Sequence, residues 1–270
     1  MPPPIPHTFY RKKATILEGL SVPDSEYSDK SPKGSVDERI RELIDEINAY
    51  DGFVTTSSCA GRIAVFQEGN GQGSDSRNEE DAVGSSGVPG GKGGGKFLFV
   101  SHEPVYVAGD GASQQLPRIL GLDEEPGACG AKGSESWAPG QRFVRFAFEP
   151  MILHIMTASL HHAKPLLSAA INSGFRESGV QSLKNLDDPN ACPMVAIRTA
   201  GLGLEAIIAF VAENSNNGPY QFWQLVTKEY YTMLLKIANE RFEANQLRIE
   251  NTTRSGRVLK QGANGSEIKV

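Results

Sequence analysis

Phe53-Val54-Thr55-Thr56-Ser57-Ser58-Cys59-Ala60-Gly61-Arg62-Ile63-Ala64-Val65-Phe66 is the stretch on which the reading of the fold turns. Its ends, Phe53–Thr56 and Arg62–Phe66, have the apolar and β-branched content of strands. Its middle does not: Thr55, Thr56, Ser57, Ser58 and Cys59 are small hydroxyl or thiol side chains, followed by Ala60, Gly61 and Arg62. A strand needs bulky apolar residues on at least one face to bury, so the middle is expected to be a turn or loop between two strands. Small polar side chains and accessible backbone N–H groups in one short run also suit a site that holds a ligand.

Upstream, Phe9–Leu20 reads as a short amphipathic helix, followed by a polar connection over 21–34 with Pro23, Pro32 and Gly34. Ser35 and Glu38 form a capping box ahead of Val36, Ile40, Leu43, Ile44 and Ile47 at helical spacing, and Asp51-Gly52 ends that helix. Downstream, Gly69–Gly95 is too polar and glycine-rich to order itself, whereas Lys96–Ser101 reads as a strand. A second low-complexity stretch, Ala108–Gly140, holds only a short turn at Leu116–Leu120. Both are expected to be loop insertions, at about 67–95 and 108–141, in a single domain over 9–250, with 1–8 and 251–270 as flexible tails.

The second half repeats the rhythm. Phe143–Phe148 and Met151–Thr157 read as strands broken at Glu149-Pro150. Ser159 caps a helix that carries Leu160, Ala163, Leu167, Ala170 and Ile171 and ends at Gly174, with Pro165 expected to kink or shorten it. Phe175–Val180 and Met194–Thr199 follow as strands, Leu204–Phe210 as strand or helix, and a long helix over Tyr220–Asn245 closes the fold. Helix, strand, loop, strand thus occurs twice, which suggests an internal duplication.

Composition excludes some classes of function. The 270 residues are 39% hydrophobic and 22% charged, ordinary for a soluble globular protein. The apolar runs near Met151–Met156 and Ile207–Ala212 are too short to span a bilayer, and the Pro-rich start lacks the apolar core of a secretion signal. Cys59, Cys129 and Cys192 are odd in number and widely spaced, which argues against a disulfide framework or zinc site and for a reducing cytoplasmic setting. The net charge of −5 does not by itself suggest a nucleic-acid partner.

Several chemistries fail on inspection. Gly90 to Phe97 nearly spells a phosphate-binding loop, but Phe97 stands where Ser or Thr would hold magnesium, and a strand follows instead of a helix. No strand leads into a glycine-rich turn and helix of the usual methyl-donor or dinucleotide kind. His161 and His162 are adjacent and diverge by roughly 100° on a helix, so they do not clamp one metal. Cys59 and His102 admit a thiolate–base reading, although a small buried cysteine is the commoner fate.

A resemblance carries more. Ser31-Pro32-Lys33-Gly34-Ser35-Val36-Asp37-Glu38, the Thr55–Arg62 run, Gly94-Gly95-Lys96-Phe97-Leu98 and Ser101-His102-Glu103, in that order, resemble the tRNA wybutosine-synthesising protein 3 family. Leu153-His154, Gly174-Phe175-Arg176-Glu177-Ser178-Gly179 and Asn239, Asn245 and Arg248 resemble its second-half motifs. Two positions depart from the pattern: Ala60 replaces an expected serine, and Phe97 an expected tryptophan.

The resemblance implies an S-adenosylmethionine-dependent N-methyltransferase. Its substrate would be the N4 atom of 7-(3-amino-3-carboxypropyl)-4-demethylwyosine, beside the anticodon of phenylalanine tRNA. It implies catalytic roles for Asp37, His102 and Ser58, with Asp37 or His102 taking the proton that leaves the base. Thr56, Ser57, Cys59, Gly61 and His154 would hold the donor; Lys33, Arg62, Lys96, Arg176 and Glu177 would hold the substrate. No metal and no membrane is implied. The expected architecture is α+β, a mixed curved sheet flanked by helices, unlike a doubly wound fold. The alternative is a non-catalytic RNA-binding protein on the same scaffold, a reading that Ala60 keeps open.

Overall fold

The computed structural model describes residues 4–21, 38–69, 95–106, 112–122, 141–182, 184–188, 191–212 and 221–263. The elements run α1 (His7–Leu20), α2 (Glu38–Asn48), β1 (Phe53–Gln67), β2 (Lys96–Ser101), α3 (Ala112–Ile119), β3 (Phe143–Thr157), α4 (Leu160–Asn172), β4 (Gly179–Val180), β5 (Met194–Arg198), β6 (Leu204–Ala212), β7 (Gln221–Gln224) and α5 (Lys228–Ala263). The protein is α+β, with an open sheet flanked by helices and no doubly wound core. Where a mixed sheet was expected, the described pairings β1–β2, β3–β5, β3–β6, β4–β5 and β6–β7 are all antiparallel.

The chain divides into two compact units. The first comprises Met1–Gly61, Pro150–Leu202 and Glu243–Val270; the second comprises Arg62–Glu149 and Gly203–Phe242.

In the first unit the strand order is β1-β3-β5-β4. Ile152 lies opposite Arg198, and His154 opposite Ala196. Side chains alternate across a sheet, so Met151, Leu153 and Ile155 share one face with Val195 and Ile197. That face packs on Ile40, Leu43, Ile44 and Ile47 of α2, an i, i+3, i+4, i+7 stripe, and on Ala163, Leu166 and Ala170 of α4. On the opposite face Val54 and Met156 meet Phe9 of α1, with Met194 against them. Phe9 is fully buried, which contributes about 1.5–3 kcal/mol.

Ser159 caps α4 by accepting the His162 backbone N–H, as its sequence position predicts. Pro165 does not shorten α4, which continues to Asn172. Losing one backbone bond is outweighed there by the buried face of Ala163, Leu166 and Ala170. Gly174, with φ 97°, turns the chain out of the helix in a conformation that side chains rarely adopt.

In the second unit β2 pairs with β1, Ile63 opposite Ser101 and Gln67 opposite Lys96. β3 pairs with β6, and β6 with β7, where Phe210 and Trp223 stack at 6.2 Å. Val144, Phe146 and Phe148 are buried together along one face of β3, and Phe148 meets Phe242 of α5 edge-on at 4.8 Å. Arg145 lies between Glu68 and Glu205 and is ion-paired to both. Asn239 of α5 bonds Val105 reciprocally, accepting its N–H and donating to its carbonyl, each at 3.0 Å.

Five further expectations need correction. The Ser/Cys run is not a loop: β1 is one strand from Phe53 to Gln67. β3 likewise passes through Glu149-Pro150 unbroken, because Pro150 falls between the residues paired to β6 and those paired to β5, where the described ladders require no N–H from it. Phe175–Val180 is strand only at Gly179–Val180. Leu116–Leu120 belongs to a helix beginning at Ala112. The stretch assigned to one closing helix contains β7 and then α5, which runs on to Ala263 through residues expected to form a tail. The Ser35 capping position and nearly all of both low-complexity stretches lie outside the described residues.

Candidate functional site

β1 carries the run of small polar residues across its middle, and its packing shows how they are presented. In a regular strand, residues an odd number apart face opposite sides. Phe53 and Ala60 nevertheless pack in the same core, with α2 and α4. One extra residue is therefore accommodated between them, as in a β-bulge. The irregularity falls at Thr56–Ser57. Thr56 Oγ1 donates to the His154 carbonyl at 3.2 Å and lies 3.6 Å from the Met194 sulfur. The next side chain, Ser57, is also turned to β3, with its Oγ 3.0 Å from His154 Nδ1. Two successive side chains thus reach the side of the sheet that bears His154.

The strand satisfies its own polar groups around this point. Thr55 is buried, and both its N–H (2.8 Å) and its hydroxyl (3.1 Å) donate to Asn48 Oδ1 at the end of α2. The Ala60 carbonyl accepts from Asn245 Nδ2 at 2.7 Å, and the same amide's Oδ1 accepts the Met151 N–H at 2.9 Å. Gly61 has φ 119°, which excludes a side chain there without strain. Cys59 and Ser58 are half-buried, and Thr56 and Ser57 are exposed.

Ala60 is 2% exposed in the apolar core of the first unit. A serine hydroxyl at this position would face Met151, Leu153 and their neighbours rather than the His154 side. The departure from the expected motif therefore concerns packing, and it no longer favours a non-catalytic scaffold.

His154 is the centre of this face. Burial, with the Arg198 guanidinium beside it, holds its imidazole below the ordinary value, so the ring is neutral at pH 7. Its ring therefore offers Ser57 and any ligand one donor and one acceptor nitrogen. Arg198 lies diagonally across the β3–β5 pair from His154, since Ile152 faces Arg198 and Ala196 faces His154.

Arg176 and Glu177, expected to bind substrate, follow α4 on an exposed turn of the same unit. The Glu177 carboxylate accepts the Ala200 N–H at 2.9 Å; that bond and the Thr199 hydroxyl push it below the ordinary carboxylate range. Arg248 of α5 donates to the Gly174 carbonyl at 2.9 Å and to Thr199 at 3.0 Å, and ties this turn to the end of β5.

The second unit holds Arg62, Lys96 and His102. Arg62 donates to Glu149 at 2.5 Å, and its guanidinium lies 5.0 Å from the centre of the Phe97 ring. Phe97 also packs edge-on against Phe66. Arg62 is thus engaged by a carboxylate and an aromatic face. Lys96 opens β2 and is exposed, and His102 follows the end of β2, half-buried. Asp37 and Lys33 lie outside the described residues.

The structure thus brings together Thr56, Ser57 and His154, and gathers Arg176 and Glu177 on one turn. Sequence reading passed over Arg198. Alternation along Met194–Arg198, which sets Met194, Ala196 and Arg198 on one face, was the signal for it. Among the described residues no group of three His, Cys, Asp or Glu is arranged to hold a metal ion, and no helix is long and apolar enough to cross a membrane.

The fold matches that of the PH1069 protein from Pyrococcus horikoshii OT3, with a TM-score of 0.59 and 22% identity over 94% of this chain and 96% of that one. The family described as Methyltransferase TYW3 matches residues 11–255. The chain is thus a methyltransferase built on an α+β sheet that is not doubly wound. It belongs to the TYW3 methyltransferase family. Among its relatives, tRNA wybutosine-synthesizing protein 3 of Schizosaccharomyces pombe is 38% identical over 240 residues, 88% of this chain and 82% of that protein. The Saccharomyces cerevisiae protein of the same name is 33% identical over 246 residues, 90% of this chain and 79% of that one. Membership of the family requires a methyl donor.

Proposed function

We propose that the protein methylates N4 of 7-(3-amino-3-carboxypropyl)-4-demethylwyosine in phenylalanine tRNA, a step of wybutosine synthesis in the cytoplasm, with S-adenosylmethionine as donor. The observation that carries the reading is the family match over residues 11–255. The relatives named for wybutosine synthesis support the substrate. The face formed by Thr56, Ser57 and His154 supports the donor assignment, because hydroxyls and a neutral imidazole suit the polar end of an amino acid. When bound, that donor supplies an electrophilic methyl carbon.

The residues assigned to the donor are Thr56, Ser57, Cys59, Gly61 and His154. Gly61 is buried with a positive φ that bars a side chain, and Cys59 contributes a small side chain on the same strand. Lys33, Arg62, Lys96, Arg176 and Glu177 are assigned to the tRNA; of these, Lys96 and Arg176 are exposed side chains suited to phosphate. An attacking ring nitrogen must shed a proton, and Asp37 or His102 is assigned to accept it, with Ser58 orienting the base. Alignment of donor and acceptor then supplies much of the rate, because in-line displacement tolerates little misplacement.

The test uses the protein, S-adenosylmethionine and tRNA from a strain lacking this activity. Nucleoside mass spectrometry should show one added methyl on the tricyclic base. No added methyl, with the protein folded and tRNA bound, refutes the reading.

A further inference from the structure

We propose that Arg198 anchors a ligand carboxylate on the side of the β3–β5 pair that bears His154, a role that deepens the donor and substrate reading above.

Arg198 ends β5 on the same side of the sheet as His154. Its backbone is fixed: its N–H donates to Ser178 Oγ at 3.1 Å, and its carbonyl accepts from the same hydroxyl at 3.5 Å. Its side chain is exposed. Among the described residues no carboxylate pairs with its guanidinium. The acidic side chain of the neighbouring turn, Glu177, is committed to the Ala200 N–H and the Thr199 hydroxyl. Among the described residues, a guanidinium on a fixed stretch of backbone, near the imidazole that Ser57 contacts, thus has no carboxylate to match its charge. The planar fork of arginine matches a carboxylate with two parallel bonds, and one cation suits one singly charged group.

Two ligands of the proposed reaction carry such a carboxylate: the amino-acid end of the donor and the amino-carboxypropyl arm of the substrate base. Two arms of one experiment separate them. In the first, calorimetry measures S-adenosylmethionine and its decarboxylated analogue against wild-type protein, Arg198→Gln and Arg198→Lys. If the donor's carboxylate is held, Arg198→Gln weakens S-adenosylmethionine by about tenfold or more and leaves the analogue within about threefold. Arg198→Lys recovers part of the loss, because it restores charge without the fork. In the second arm, binding is compared for tRNA with and without the amino-carboxypropyl group. If the substrate's carboxylate is held, the wild-type preference for the first tRNA disappears in Arg198→Gln.

Arg198→Gln that keeps both preferences overturns the proposal. Equal weakening of both tRNAs with donor binding unchanged also overturns it, since that marks a backbone phosphate contact. Wild-type protein that binds no S-adenosylmethionine refutes the donor assignment of the preceding subsection instead, and the tRNA arm then decides the role of Arg198 by itself.

Discussion

Replacing Asn245 by alanine tests the pin beneath the ligand-bearing strand. Asn245 is only 2% exposed and satisfies two backbone groups at once, the Ala60 carbonyl of β1 and the Met151 N–H of β3. Alanine at 245 removes the amide and orphans both groups. Each buried backbone group left without a partner costs about 1–3 kcal/mol, so the loss is about 2–6 kcal/mol. That is a large share of the roughly 5–15 kcal/mol that holds a typical domain folded. At about 2–4 °C per kcal/mol for a chain near this size, the melting temperature falls by about 4–24 °C.

Asn245→Asp should be at least as damaging, because its carboxylate still accepts from Met151 but faces the Ala60 carbonyl with a buried charge. Urea unfolding followed by far-UV circular dichroism and by tryptophan fluorescence measures the loss, provided the two probes coincide. A loss below about 1 kcal/mol for Asn245→Ala would mean that the two groups find other partners, and the account of β1 as a strand held by this amide would be wrong.

Two further outcomes follow from the same geometry. Ala60→Ser places a hydroxyl in the apolar core of the first unit, so it should cost about 1–3 kcal/mol of stability while leaving the affinity for S-adenosylmethionine unchanged; tighter donor binding would show that position 60 reaches the ligand after all. His154 and His162 both have lowered imidazole pKa values, mainly through burial, so the unfolded chain binds protons before the folded one does as pH falls. Stability should therefore be lost progressively as pH falls from the unfolded value near 6.5 toward the folded values; a urea midpoint that rises over this window would contradict the assignment, and a double His154→Gln, His162→Gln variant should show a flatter profile.

What the sequence made legible was local. The stripe of α2, the Ser159 cap, the Gly174 stop and the strand Lys96–Ser101 each rest on residues within a few positions of one another. What it hid was set by partners far along the chain. Pro150 looked like a strand end because the sequence cannot show that pairing passes from β6 to β5 on either side of it. The Thr55–Cys59 run looked like a loop because Asn48 and Asn245, which satisfy its buried backbone on either side, lie outside it. The same limit applied to the site. His154 came from a motif, but its partnership with Ser57 spans 97 residues, and Arg198 became visible only once β5 was set beside β3.

The contradiction between strand and site in β1 resolves through register. A fully regular strand would show its small polar residues alternately to the core and to the His154 side, and would bury half of them without partners. With an extra residue taken up near Thr56–Ser57, the strand sends both of those side chains toward His154 and returns Ala60 to the core. Thr55, the polar side chain that does stay inside, is met by Asn48. Bulky residues at 56 and 57 would fill the side on which His154 and Arg198 stand, and bulk at 61 is barred by the positive φ. The run is small and polar because it forms a strand whose irregularity presents functional groups, and apolar bulk is required only at its two ends.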